Sequence, residues 1–172
     1  MHRGIAWVVG LMFALGVVPF ASADSSVTVK KTHLCCASCV KAANKAVQSV
    51  PGAKARIDQK TDTIAITAAS EEDAQKAVDA LVAAGFYGKV SSGSIKNDAG
   101  APAGNAKSLS VTTHNCCKKC TTAINKVIKS VPGANGEAQP KNDTFTVTGD
   151  YDPEALVKAF NAAGFAVKVD AK

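Results

Sequence analysis

The sequence predicts an α+β protein built from two β-α-β-β-α-β modules joined by a flexible linker. Three observations carry that reading. A cysteine-rich segment and the apolar pattern after it occur twice, 81 residues apart. Each copy mixes runs that alternate with period two and runs with helical spacing, in the same order. A small, polar, Gly/Ala-rich stretch with no apolar periodicity separates the copies.

The chain opens with a different kind of segment. Residues 1–23 have a basic start at Arg3, an apolar run from Ile5 to Val18, and Ala21-Ser22-Ala23 as a small-x-small end. This pattern is that of a secretory signal peptide, and the run is short for a membrane span of about 20 residues. The expected mature chain, 24–172, has 149 residues, 19 basic and 14 acidic, with no Met and no Trp. The positive balance is modest, the Lys residues are scattered and aromatics are few, which argues against a nucleic-acid surface. No further apolar run offers a membrane anchor.

From His33 to Ala53 against His114 to Ala134 the match runs without a gap, with 12 of 21 positions identical. The shared residues include three cysteines, the histidine, and Val-Pro-Gly-Ala at 50–53 and 131–134. Ala84-Gly85-Phe86 recurs as Ala163-Gly164-Phe165. The expected divisions are module 1 at 24–91, the linker at 92–107 and module 2 at 108–172.

Within module 1, Val27-Thr28-Val29 reads as a strand leading to the cysteines. Ala43, Ala46, Val47 and Val50 then form one helical face, matched by Ile124, Val127, Ile128 and Val131 in module 2. Pro51-Gly52 and Pro132-Gly133 end these helices, since proline cannot continue one. Lys54 to Asp58 is a weak strand; its counterpart, 135–141, contains Gly136 and Pro140 and is expected to be short or at an edge. Thr63–Thr67 and Thr144–Thr148 alternate as strands. The second helices bury Ala74, Ala77, Val78 and Leu81, then Leu156, Ala159, Phe160 and Ala163. Asp152-Pro153 starts the latter as N-cap and first helical residue. Phe86-Tyr87 and 165–169 are expected as last strands. Two helices on one face of a four-stranded sheet is the ferredoxin-like layout.

All six cysteines fall in two five-residue windows, Cys35–Cys39 and Cys116–Cys120. A structural disulfide inside so short a window closes almost no loop and contributes little. Each window lies between a strand and a helix, with its last cysteine in the first helical turn. Free N–H groups there favour thiolate. Cys36 with Cys39, and Cys117 with Cys120, can aim two sulfurs at one point, a soft site for Cu(I), Zn(II) or another thiophilic ion.

Both modules resemble heavy-metal-associated domains, the family of copper chaperones, periplasmic mercury-binding proteins and the N-terminal modules of metal-pumping ATPases. The Cys-x-x-Cys of that family maps onto Cys36/Cys39 and Cys117/Cys120, and the Pro-Gly and Ala-Gly-Phe landmarks also match. The resemblance implies one soft metal ion per module, exchange with partner thiolates, and no catalysis. It makes Cu(I) the first choice, and implies as partner a metal-transporting membrane protein or another thiolate carrier.

The motif departs from the family's Gly-Met-Thr-Cys-x-x-Cys. Its Gly is His33 and His114, its Met is Leu34 and Asn115, and its Thr is Cys35 and Cys116. The extra thiols Cys35 and Cys116 widen the choice to Zn(II), Hg(II) or Cd(II), or act in capture or bridging. His33 and His114 are candidates for ligation or for hydrogen bonding to a thiolate. Val27 and Val29 precede His33 by six and four residues, Leu109 and Val111 precede His114 by five and three, so a bulge or shifted loop is expected. The reading is a periplasmic or secreted carrier of a soft metal. Its rival is a thiol–disulfide exchange protein, which also begins strand, C-x-x-C, helix.

Overall fold

The computed structural model describes residues 24–171; the predicted signal peptide lies outside the described residues. Two four-stranded antiparallel sheets each carry two helices, an α+β architecture in two ferredoxin-like modules. The first comprises β1 (Ser25–Lys30), α1 (Ala37–Gln48), β2 (Lys54–Asp58), β3 (Thr63–Ala68), α2 (Glu71–Ala83) and β4 (Lys89–Val90). The second comprises β5 (Ala106–Thr112), α3 (Lys118–Ser130), β6 (Ala134–Gly136), β7 (Thr144–Tyr151), α4 (Pro153–Ala162) and β8 (Lys168–Ala171). Strand orders are β2-β3-β1-β4 and β6-β7-β5-β8, the same topology twice. Among the described residues no helix is long and apolar enough to cross a membrane.

Period-two alternation does what it should. Ile64, Ile66 and Ala68 of β3 point into the core while Thr63, Ala65 and Thr67 face outward. Each fully buried Ile contributes about 1.5–3 kcal/mol. Helix α1 buries Cys39, Ala43 and Val47, one residue per turn, against that sheet face. The second core is bulkier, with Ile124, Ile128, Leu156, Phe160 and Tyr151 fully buried, where the first relies on Ala43, Ala74 and Ala77. β6 spans three residues at the sheet edge, as its Gly and Pro content leads one to expect.

The phase difference between β1 and β5 resolves in the loop. Val29 pairs with Ile64, and Val111 pairs with Phe145, so these two pairs are equivalent. Thr32 N–H donates to Asp62 O, and Thr113 N–H to Asp143 O, so the two chains are back in step there. Module 1 therefore has one extra residue between strand and threonine, and it is absorbed at Lys31, whose φ of 62° is left-handed.

Two expectations are corrected. Phe86, Tyr87 and residues 165–167 are not in the last strands, which are β4 at Lys89–Val90 and β8 at Lys168–Ala171; Phe86 and Phe165 instead form an isolated antiparallel bridge between the modules. The segment 92–107 is laid along the modules. Ser94 N–H donates to Gln75 Oε1 (3.0 Å), and Asn97 Nδ2 to Asn161 Oδ1 (2.9 Å). Val169 N–H donates to Ala99 O (2.7 Å), and Ala99 is buried in the second core. The final residues of the segment begin β5. Gly and Ala composition predicts chain freedom, but a few side-chain and backbone partners on both modules hold this segment in place.

Candidate metal centre

The modules meet through the turns that follow α2 and α4. Tyr87 N–H donates to Gly164 O (3.1 Å), Ala166 N–H to Gly85 O (3.0 Å) and His33 N–H to Gly164 O (3.2 Å). Thr113 Oγ1 donates to Ala166 O of its own module at 2.7 Å and reaches Gly85 O of the other at 3.5 Å. Gly85 and Gly164 have φ of 88° and 86°, and a Cβ on either would press on the backbone N of His114 or His33. Glycine is required both for the left-handed turn and for the close approach. The aromatic packing is reciprocal: His33 stacks on Phe165 with ring centroids 4.3 Å apart, and His114 packs on Phe86 at 4.7 Å.

This docking brings the two cysteine windows together. Across the boundary, Cys35 Sγ lies 3.3 Å from Cys120 and 3.5 Å from Cys117; Cys116 lies 3.4 Å from Cys36 and 3.5 Å from Cys39; Cys39 and Cys120 are 3.7 Å apart. Within the modules, Cys35–Cys39 is 3.7 Å, Cys36–Cys39 3.6 Å, and Cys116–Cys120 and Cys117–Cys120 both 3.8 Å. All six are free thiols. Cys39 and Cys120 are fully buried on their helices, and the other four are half-buried.

The helix starts explain why sulfur collects here. Ser70 and Asp152 cap α2 and α4 with side-chain oxygens that accept from Asp73 N–H and Glu154 N–H. Helices α1 and α3 start instead at Cys36 and Cys117, in extended conformation and with no side-chain cap bond. Their first-turn N–H groups and positive dipole ends remain directed at thiol sulfur.

The thiols differ in acidity accordingly. Burial pushes Cys36 and Cys117 up, but the Cys39 N–H beside Cys36 and the Cys120 N–H beside Cys117, with neighbouring thiols, leave both below the ordinary value. Burial, with the crowding of like groups, holds Cys35 and Cys116 far above it. Cys39 is raised by the Cys120 thiol and by burial, against an opposing contact from His114. Cys120 is also raised: its Cys39 contact lowers it, and burial and Cys35 outweigh that.

The structure brings together every residue singled out in the two motifs. Ligand atoms of Cys39, His114, Cys116 and Cys120 lie within 4.8 Å of one another, as do those of His33, Cys35 and Cys120, and those of Cys35, Cys36 and Cys117. The Nε2 atoms of both histidines are buried without a hydrogen-bond partner. Burial, then the nearby His114, lower the pKa of His33 against an upward pull from Asp62, which favours the neutral, donor form. The motif positions taken by Leu34 and Asn115 also diverge. Leu34 is buried in the first core, whereas Asn115 is buried in a polar network: its Nδ2 donates to Gln139 O and Asn142 O, and Thr121 Oγ1 donates to its Oδ1. The sequence placed Phe86 and Phe165 in last strands, whereas the structure packs each on the motif histidine of the opposite module. The joint recurrence of His and Phe in both copies was the available signal.

No protein-family model matches the chain. Copper-transporting ATPase 2 of Rhizobium meliloti (strain 1021) is 25% identical over 138 residues, covering 77% of this chain and 15% of that protein. The chain thus spans about 15% of the length of the curated relative it matches. Among solved structures, the solution structure of the N-terminal soluble domains of Bacillus subtilis CopA is 17% identical, covers 87% of this chain and 95% of that one, and has a TM-score of 0.32. The crystal structure of the first two RRM domains of yeast Pub1 is 13% identical over 86% of this chain and all of the other, with a TM-score of 0.23. The cysteines and the two motif histidines together form groups of side chains able to hold a metal ion.

Proposed function

We propose that this chain is a soft-metal carrier of the periplasm or the secreted space, which buffers a transition-metal ion or passes it to a partner. Cu(I) is the favoured ion, with Zn(II), Hg(II) and Cd(II) as competitors, and Cys35, Cys36, Cys39, Cys116, Cys117 and Cys120 are the ligands, with His33 and His114 beside them. The observation that carries this reading is the convergence of six free thiols within 3.3–3.8 Å of their neighbours. Thiolate is the donor class that selects Cu(I) and other thiophilic ions over hard cations. Two helix N-termini stabilise the negative charge. Half-buried Cys36 and Cys117 give an incoming thiolate a sulfur to approach, so the ion can leave by ligand exchange. The partner is a metal-transporting membrane protein or another thiolate carrier, and the action is binding and transfer without catalysis.

The test is an anaerobic titration of the reduced mature chain with Cu(I) against a competing chelator. Tight uptake that disappears when Cys36, Cys39, Cys117 and Cys120 become serine supports the carrier. Absent uptake of Cu(I), Zn(II) and Hg(II), together with disulfide reduction or refolding activity, would favour the thiol–disulfide reading instead.

A further inference from the structure

The eight donors do not divide into two separate sites, one per module. Cys39 neighbours Cys35, Cys36, Cys116 and Cys120; Cys120 neighbours Cys35, Cys39, Cys116 and Cys117. None of the S···S contacts pairs Cys39 with Cys117, Cys36 with Cys120, or Cys35 with Cys116. The nine contacts are nine of the twelve edges of a sulfur octahedron with those three pairs as opposite corners, and Cys35–Cys36 and Cys36–Cys117, two further edges, lie within 4.8 Å. Exchanging the two modules maps 35–117 onto 116–36, 35–120 onto 116–39, 36–39 onto 117–120 and 35–39 onto 116–120, and leaves 39–120 on itself.

Resting on the soft-metal reading above, we propose that the site takes up a single polynuclear cluster of a monovalent soft ion, about four Cu(I) per chain, held by bridging thiolates. Three groups of neighbouring donors define the positions. His33 with Cys35 and Cys120 makes one three-coordinate position, and His114 with Cys116 and Cys39 is its counterpart. Cys35, Cys36 and Cys117 make a third, whose counterpart across the pseudo-twofold is Cys116, Cys117 and Cys36. In this arrangement Cys35, Cys36, Cys116 and Cys117 each bridge two ions, while Cys39 and Cys120 each bind one. Three sulfurs around an ion at about 2.3 Å lie about 4 Å apart. The cross-module pairs in the two all-sulfur positions, Cys35–Cys117 at 3.5 Å and Cys36–Cys116 at 3.4 Å, approach that.

Two further observations fit the cluster and not a pair of isolated ions. The extra cysteines, Cys35 and Cys116, lie nearer to sulfurs of the opposite module than to the last cysteine of their own motif. Both His Nε2 atoms are buried with no protein partner, and a ring nitrogen of each lies beside sulfur of both modules. Charge also balances. Loading four monovalent ions onto six thiols releases six protons and leaves a residual charge of about −2, which the N-termini of α1 and α3 partly offset.

The experiment is native mass spectrometry and X-ray absorption on the full mature chain, reduced and titrated anaerobically with Cu(I). The expected result is a direct passage from the apo form to about four ions, with a metal–metal scattering shell in the loaded form. Saturation at one or two tightly bound ions, with no metal–metal shell, would overturn the cluster and leave the soft-metal reading standing. Absence of any thiol-dependent uptake would remove both. His33→Gln with His114→Gln should lower the capacity to about two; a double variant that still loads to the full number would overturn the histidine positions. The wild-type absorption spectrum does not depend on any variant folding.

Discussion

Cys35 Sγ stands 3.3 Å from Cys120 Sγ, although the two residues belong to different modules and are 85 positions apart in the chain. It is the shortest of the sulfur contacts within and between modules. A ligand that holds both atoms ties one module to the other. Metal binding and docking of the modules are therefore one equilibrium, since whatever binds the docked state stabilises it.

The first expected outcome is a large thermal shift. At free Cu(I) about 1,000-fold above its dissociation constant, the stabilisation is about 4 kcal/mol. For a chain of this size that corresponds to roughly 8–16 °C in Tm. Cys120→Ser should remove most of the shift and also release module 1, whose core includes Cys120. Calorimetry with and without metal checks this, and an equal shift in the variant would show that the ion does not span the boundary.

Much of the fold was legible in the sequence, and the reason is physical. Period-two runs such as Thr63–Thr67 and helical faces such as Ile124, Val127, Ile128 are local consequences of burying one side of an element. The docking of the modules was not legible. Phe86 fits a strand pattern on its own, yet its bridge is to Phe165 and the neighbouring Tyr87 N–H is taken by Gly164 O, in another module. The linker misled for a similar reason: Ala99 has little intrinsic preference, and its burial depends on a surface built from residues 70 positions away. The repeat located all eight candidate site residues, but that they share one site is a property of the interface, which leaves no period in the chain.

Gly85→Ala and Gly164→Ala should each undock the modules. Either variant places a side chain at left-handed φ and drives it against the backbone of a motif histidine. The expected cost is about 1–3 kcal/mol, beyond that of a surface alanine. Urea unfolding followed by Cu(I) competition checks both halves of the claim: stability and affinity should fall together. A variant as stable and as tight as the parent chain would mean that this turn does not set the interface.

Asn115→Leu tests whether the second module can use the apolar packing of the first. The substitution removes the bonds to the carbonyls of Gln139 and Asn142 and the one from the Thr121 hydroxyl, although Gln139 O keeps the Asn142 N–H and Thr121 Oγ1 keeps Cys117 O, both at 3.1 Å. Each hydrogen bond lost costs about 0.5–1.5 kcal/mol. The expected effect is a lower urea midpoint with unchanged metal capacity, because Asn115 is no donor to the cluster. Loss of capacity without loss of stability would contradict that separation.

The acidity order among the thiols gives the last prediction. Cys36 and Cys117 lie below the ordinary thiol value: burial raises them, but the N–H groups of the first helical turns and neighbouring thiols prevail. A lowered pKa keeps the thiolate populated down to lower pH, so these two cysteines should be alkylated first near neutrality. Cys35 and Cys116 are raised by burial and should react only at much higher pH, despite being half-buried like the other pair. Thiolate is both the nucleophile and the metal ligand, so the same order governs loading. Protons compete hardest at Cys35 and Cys116, and affinity falls as pH falls. Peptide mapping of iodoacetamide labelling across a pH series reads the order directly. Equal rates at Cys35 and Cys36 throughout would show that the helix N-termini do not discriminate between adjacent sulfurs, and uptake of metal before labelling should protect all six.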